Sequence, residues 1–125
     1  LDKGTVIVAT VKGDIHDLGK NIVGALLENN GYKVIDLGKD VAAEVIVAAI
    51  KEHNASVVGI CSLMTTTMPQ IDNTIEAIRG AGLDTKVIVG GAVVSQDYAD
   101  QAGADKYAKD GIAAVNITNE LFENQ

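Results

Sequence analysis

The sequence is poor in aromatic residues, cysteine and proline. Phe, Trp and Tyr make up 3% of the 125 residues, and there is no Trp. The core must therefore come from Val, Ile, Leu and Ala, and the chain lacks the aromatic platforms that bind single-stranded nucleic acid. The one cysteine, Cys61, excludes an internal disulfide and a thiolate metal cluster, and it fits a reducing cytoplasm.

Positive charge and long hydrophobic runs are also scarce. The 17 acidic residues outnumber the 10 basic ones and give a net charge of −7. An acidic surface repels the phosphate backbone of nucleic acids. No apolar stretch is long enough to cross a membrane, and no signal peptide is visible. The sequence therefore predicts a cytoplasmic protein that binds neither nucleic acid nor membrane.

Apolar segments rich in β-branched residues alternate with helix-like segments. The predicted strands cover residues 5–10, 33–37, 56–61, 86–89 and 104–107. The predicted helices cover residues 18–30, 41–52, 69–79, 95–102 and 111–122. Asp40 is the expected N-cap of the second helix, and Pro69 suits the first turn of the third. Short strands that are apolar on both faces predict an α/β, flavodoxin-like (Rossmann-like) doubly wound parallel sheet with the strand order 2-1-3-4-5.

This strand order predicts where a ligand would bind. In an open α/β sheet, ligands bind at the carboxyl ends of the strands, at the point where the strand order reverses. Here that point lies between the first and third strands, at the loops 12–18 and 62–68, with the loop 90–94 beside them. Asp14 and His16 occupy the first loop, and Gly19 opens the helix that follows it.

Asp14 and His16 are the candidate chemical pair. An imidazole two residues from a carboxylate is the basic unit of a tuned metal ligand or proton carrier, whereas an isolated loop histidine is most often a plain surface residue. The other two loops also have two interpretations. The hydroxyls of residues 65–67 either cap the next helix or face a ligand, and Gly90 and Gly91 form either a tight turn or bare backbone beside a bulky ligand.

The first loop resembles a known signature. Its Asp14-x-His16-x-x-Gly19 pattern, within GDIHDLGKNIV, is similar to that of cobalamin-binding domains, in particular the corrinoid proteins of anaerobic methyltransferase systems and the cobalamin domain of methionine synthase. The resemblance covers essentially the whole chain, through CSLMTTTMP at 61–69 and GGA at 90–92. It predicts one cobalamin-binding domain over residues 1–125. A helical bundle normally precedes this domain and has no counterpart here, so we expect a fragment of a longer protein.

The resemblance implies a role for each motif residue. His16 would be the lower axial ligand of a corrinoid's cobalt in place of the cofactor's own base, with Asp14 on its other nitrogen and Thr67 completing the relay. The glycines would line the channel for the cofactor's nucleotide tail. Relatives usually carry serine at the position of Cys61, and a thiol donates a weaker hydrogen bond than a hydroxyl. The implied cofactor-binding residues are Asp14, His16, Gly19, Cys61, Leu63, Thr65, Thr67, Gly90 and Gly91.

The function that the resemblance implies is that of a non-catalytic methyl carrier in one-carbon metabolism. One partner methyltransferase would move a methyl group from a methylated donor to Co(I). A second would pass it from methyl-Co(III) to an acceptor such as tetrahydrofolate or coenzyme M, and a reductive activase would be a further partner. The alternatives are the cobalamin domain of an adenosylcobalamin-dependent mutase, a corrinoid sensor module and a flavodoxin-like scaffold without a corrinoid. The residues around Asp14 and His16 favour methyl transfer over the mutase.

Overall fold

A five-stranded parallel sheet organises the chain in the computed structural model, which describes residues 2–124. Its strands are β1 (Thr5–Thr10), β2 (Lys33–Asp36), β3 (Val57–Cys61), β4 (Lys86–Gly90) and β5 (Lys106–Tyr107). They lie in the order β2-β1-β3-β4-β5, and every neighbouring pair is parallel. The predicted doubly wound topology is confirmed, and the strand order reverses between β1 and β3.

Helices cover both faces of the sheet. They are α1 (Leu18–Asn29), α2 (Ala43–His53), α3 (Pro69–Gly80), α4 (Gln96–Ala102) and α5 (Gly111–Glu123). Their ends agree with the predicted ones to within two residues. A 3₁₀ turn over Thr65–Thr67 occupies part of the segment predicted as a loop. Among the described residues, no helix combines the length and the apolar composition that a membrane crossing requires.

Alternation of side chains along the strands divides the core into two layers. Val6, Val8, Val57 and Ile88 belong to the layer that includes Leu27 of α1 and residues of α5. The other layer is larger and contains residues of α2 and α3; its buried members include Ile7, Val58, Ile60, Val89, Ile46, Ile71, Ile75 and Ile78. The period of two along β3 therefore places Gly59 and Cys61 on the same sheet face as Val57, below α1 and α5.

The start of α2 corrects one prediction. Its N-cap is Ala42, not Asp40. Asp40 has a φ of 54°, and its carboxylate accepts a hydrogen bond from the N–H of Gly13 at 2.7 Å. Its own N–H donates to the carbonyl of Asp14 at 3.0 Å. Aspartate is typical of helix starts because its side chain accepts from free N–H groups; here the free N–H lies in the loop after β1, and Asp40 stabilises that loop instead.

Candidate functional site

Asp14 lies at the centre of the candidate site, and its side chain is fully buried. Its Oδ1 atom is 2.8 Å from Nδ1 of His16 and accepts the His16 N–H at 3.0 Å. Its Oδ2 atom accepts the N–H of Leu63 at 2.7 Å and the hydroxyl of Thr67 at 2.9 Å. One carboxylate thus joins the loop after β1 to the loop after β3. We call Asp14, His16 and Thr67 the relay.

Hydrogen bonds keep Asp14 ionised despite its burial. Burial raises the pKa of a carboxyl group because it disfavours the charged form. The N–H groups of Leu63 and His16, the His16 ring and the Thr67 hydroxyl outweigh that effect and lower the pKa of Asp14 from 3.8 to about 2. An ionised carboxylate only accepts hydrogen bonds, so Nδ1 of His16 carries the proton. In the neutral form of the ring, the lone pair is then on Nε2.

The free ring nitrogen of His16 is accessible. The side chain is 50% exposed, and within residues 2–124 its Nε2 atom makes no hydrogen bond. The Thr10 hydroxyl donates to the His16 carbonyl at 3.0 Å, which also fixes the backbone of this residue. A neutral imidazole oriented by a carboxylate is a typical metal ligand. In the described part of the chain, no group of three His, Cys, Asp or Glu side chains could hold a metal ion. A single imidazole nitrogen, oriented by a carboxylate and accessible on the surface, fits a metal whose other ligands come from a cofactor.

A cleft of about 360 Å³ opens beside the relay, between α1 and α5 on the face of the sheet that they cover. This volume lies within the roughly 300–1,000 Å³ of small-molecule sites. Leu63 belongs to both features, because it lines the cleft and its N–H donates to Asp14. The predicted residues that line the cleft are Gly19, Cys61, Leu63, Gly90 and Gly91.

Gly59 and Gly91 both line the cleft, but glycine occupies the two positions for different reasons. A Cβ on Gly59 would lie 3.7 Å from Val8, an ordinary contact, so the packing of the sheet does not require glycine there. Glycine inside a strand commonly marks a place where a ligand approaches the backbone. Gly91 has a φ of 125°, and a Cβ there would clash with the carbonyl oxygen of Ser62. Gly91 is therefore needed for the fold of its loop, whereas Gly59 could accept a Cβ and leaves the floor of the cleft without a side chain.

Thr65 stands apart from the other predicted residues. It is exposed on the 3₁₀ turn, and the structure places it neither in the relay nor among the residues that line the cleft. Of the three consecutive threonines, Thr67 is the buried one. Its hydroxyl turns toward Asp14 and makes the contact that the resemblance implied. The role of Thr65 as a cofactor contact stays a prediction.

Sequence reasoning missed three residues of the site: Lys20, Gly59 and Ser62. The glycine inside β3 was a usable signal. Ser62 is fully buried, and its Oγ atom lies 2.8 Å from the Thr67 hydroxyl. The Lys20 side chain is 3% exposed and its ammonium pairs with Asp36 at 2.7 Å. No local sequence pattern predicts that Ser62 or Lys20 is buried, because a serine in a loop and a lysine in a first helical turn are usually exposed.

Known proteins resemble this chain over most of its length. The family described as "B12 binding domain" matches residues 4–116. A corrinoid protein of Desulfitobacterium hafniense (strain Y51) is 46% identical over 122 residues, which cover 96% of this chain and 56% of that protein. Dimethylamine corrinoid protein 1 of Methanosarcina acetivorans is 42% identical over 121 residues, 95% of this chain and 57% of that protein.

A solved structure agrees with the fold in detail. The methanol:cobalamin methyltransferase complex MtaBC from Methanosarcina barkeri matches with a TM-score of 0.97 and 36% identity, over 100% of this chain and 48% of that one. The chain thus spans about half the length of the proteins that it resembles here. The relay, the cleft and the match over residues 4–116 lead to one conclusion: the chain belongs to the B12-binding domain family.

Proposed function

We propose that this chain binds a corrinoid whose own lower base is displaced, with Nε2 of His16 as the lower axial ligand of cobalt. The observation that carries the proposal is the 2.8 Å hydrogen bond between Nδ1 of His16 and the buried Asp14, which leaves Nε2 free on a half-exposed ring. A corrinoid ring supplies the equatorial nitrogens itself, so one protein ligand suffices. The cofactor supplies the chemistry when bound, because its cobalt takes up a methyl group and gives it to an acceptor.

The cleft would hold the nucleotide tail of the same cofactor. Gly19 lines the cleft three residues after His16, and nothing lies within 4 Å of a Cβ added to it. Gly59 and Gly90 leave the sheet face bare below that point. Cys61 contributes a thiol, which is a weaker hydrogen-bond partner than a hydroxyl. Together these residues would hold the tail beside the sheet while His16 holds the metal.

The chain would act as a methyl carrier between two methyltransferases, one on the donor side and one on the acceptor side. The names of its relatives support this, since they describe corrinoid proteins, one of them for dimethylamine, and a methanol:cobalamin methyltransferase complex. The methyl donor would be a small methylated compound of that kind. A reductive activase would restore cofactor that becomes oxidised. With one cysteine and no disulfide, the chain suits the cytoplasm. The mutase and sensor alternatives are not favoured by these relatives.

Isotope labelling of histidine tests the cobalt ligand directly. The chain is produced with nitrogen-15 histidine, reconstituted with cobalamin and reduced to the paramagnetic Co(II) state. If His16 is the axial ligand, the nitrogen splitting in the electron paramagnetic resonance spectrum changes from a triplet to a doublet. If the cofactor's own benzimidazole stays on cobalt, the labelled protein gives the same triplet as the unlabelled one.

The two histidines of the chain provide matched variants for this test. His16→Ala should lose the splitting that follows the label. His53→Ala should keep it, because His53 lies at the end of α2, away from the relay. A labelled His16→Ala protein that still shows the doublet would refute the proposed ligand.

A further inference from the structure

The cleft offers a ligand few polar partners. Gly59 and Gly90 leave its floor without side chains, and the backbone of both glycines belongs to the hydrogen-bonded sheet. Val23, Ile88 and Ala114 supply apolar walls from α1, β4 and α5. A flat group that enters between the two helices therefore meets hydrocarbon on several sides.

Lys20 lines the cleft, but its ammonium group is already fully engaged. Nζ donates to both carboxylate oxygens of Asp36, at 2.7 and 2.9 Å, and to Oδ1 of Asn21 at 2.8 Å. An ammonium group has three N–H bonds, and these three acceptors use all of them. Lys20 thus contributes its hydrocarbon stem to the wall and leaves no donor for a bound base.

The remaining polar side chains of the cleft are weak or peripheral. Burial raises the pKa of the Cys61 thiol to about 11, so this group stays neutral and is a weak hydrogen-bond partner. Lys109 and Asp110 line the cleft but are exposed to solvent. The Asp110 carboxylate accepts the N–H of Ala113 at 2.8 Å, as the N-cap of α5. The side chains that line the inner part of the cleft therefore offer few hydrogen-bond partners.

We infer that the cleft binds corrinoids whose lower base is a benzimidazole more tightly than those whose lower base is a purine. This inference rests on the proposed function. The outer ring of a benzimidazole presents hydrocarbon edges, whereas adenine presents an amino group and additional ring nitrogens. Those atoms bind water in the free cofactor and would lose that water in the cleft without replacement, which weakens binding. We expect at least about tenfold weaker binding of the adenine form, equivalent to about 1.4 kcal/mol.

Absorption titration of the chain with the two cofactors measures this preference. The probes are cobalamin and the corrinoid that differs from it in having adenine as its lower base. Free corrinoids differ in how readily the base leaves cobalt, so each apparent Kd is multiplied by the base-off fraction of that free cofactor, taken from its own acid titration. A corrected preference of about tenfold or more for cobalamin supports the inference. A corrected ratio below about threefold, or a preference for adenine, overturns it and leaves the cobalt ligand intact.

Two glycine variants locate the preference in the cleft. Gly59→Val fills the floor and should bring the corrected ratio close to one, whereas Gly24→Ala adds a Cβ in α1 outside the cleft and should preserve it. A preference that survives Gly59→Val would place selection elsewhere and refute the inference. Gly59→Ala, a smaller change, should reduce the ratio in the same direction if the valine variant does not fold. Cobinamide, which has no lower base, separates the two proposals: failure of all three corrinoids to bind would overturn the proposed function as well.

Discussion

The Oδ2 atom of Asp14 accepts the hydroxyl of Thr67 at 2.9 Å although the two residues are 53 positions apart. Because Thr10 of β1 pairs in register with Cys61 of β3, the loops that follow these strands start side by side. The Oδ1 atom of the same carboxylate holds the ring of His16. The orientation of the imidazole therefore depends on the pairing of two strands, and not on the first loop alone.

Removing the Thr67 hydroxyl should lower both the stability of the chain and its affinity for cobalamin. Thr67→Val keeps the shape of the side chain but leaves Asp14 without one of its donors. We expect the free energy of unfolding to fall by about 1–3 kcal/mol in urea titrations. We also expect cobalamin affinity to fall by about 10–100-fold, the usual effect of removing an outer-shell partner of a metal ligand.

Thr67→Ser is the matched control for that prediction. It keeps the hydroxyl and deletes a methyl group, so affinity should stay close to that of the wild type. The hydrogen bond to Asp14 would have no role in the site if valine and serine at position 67 reduced cobalamin affinity equally.

The sequence predicted the scaffold of the site better than its interior. Alternating strands and helices determine the strand order, and the strand order brings the loops with Asp14 and Thr67 together. The polar contacts inside the site depend on which side chains are covered by segments that are distant in the sequence. Ser62 is buried because its loop packs over β4, where its N–H donates to the carbonyl of Gly90. Such long-range burial leaves no periodic trace in the sequence.

The ion pair between the buried Lys20 and the exposed Asp36 should respond unequally to its two substitutions. Asp36 is 41% exposed and can be solvated by water, whereas the Lys20 side chain is 3% exposed. Asp36→Asn leaves an uncompensated buried ammonium and should cost about 3 kcal/mol of unfolding free energy. Lys20→Met replaces the ammonium with apolar volume and should cost less than about 1 kcal/mol.

Urea titrations of the two variants at the same pH give this comparison. Equal losses for Asp36→Asn and Lys20→Met would show that the pair itself, and not the desolvated ammonium, contributes the stability. Lys39→Met is a suitable control, because Lys39 is an exposed lysine of the loop after β2.

Tyr98 should make the stability of the chain fall as the pH becomes alkaline. Its hydroxyl donates toward the Asp72 carboxylate at 2.5 Å and the Met68 carbonyl at 2.8 Å. Burial and the carboxylate of Asp72 raise the pKa of Tyr98 from 10.0 to about 12. Because the folded state binds this proton more tightly than the unfolded one, the contribution is complete below the unfolded pKa and is lost as the pH rises toward 12.

Tyr98→Phe should therefore remove part of that alkaline dependence. We expect lower stability than the wild type near pH 8 and a smaller difference at about pH 11, measured by urea unfolding. Tyr107→Phe, which removes a phenol from β5, is the control for the loss of a phenol elsewhere in the chain. Parallel stability curves for Tyr98→Phe and the wild type would contradict the proposed proton linkage.

Filling the floor of the cleft at Gly59 should separate the two parts of cofactor binding. Gly59 has an ordinary strand conformation, and an added Cβ meets Val8 at 3.7 Å, so Gly59→Val should leave the fold intact by circular dichroism. The added methyl groups would occupy the space proposed for the nucleotide tail. Cobalamin affinity should therefore fall by about tenfold or more, since that space is needed by the bound cofactor.

Cobinamide, which has no nucleotide tail, distinguishes this effect from general damage to the site. Its affinity should be the same for Gly59→Val and the wild type, because the bond to His16 does not involve the cleft. Gly24→Ala adds a comparable contact, 3.7 Å to Val34, without lining the cleft, and should change neither affinity. The contrary outcome is that Gly59→Val reduces the affinities for cobinamide and cobalamin equally. The substitution would then act on the position of His16, and the cleft would not be the place of the tail.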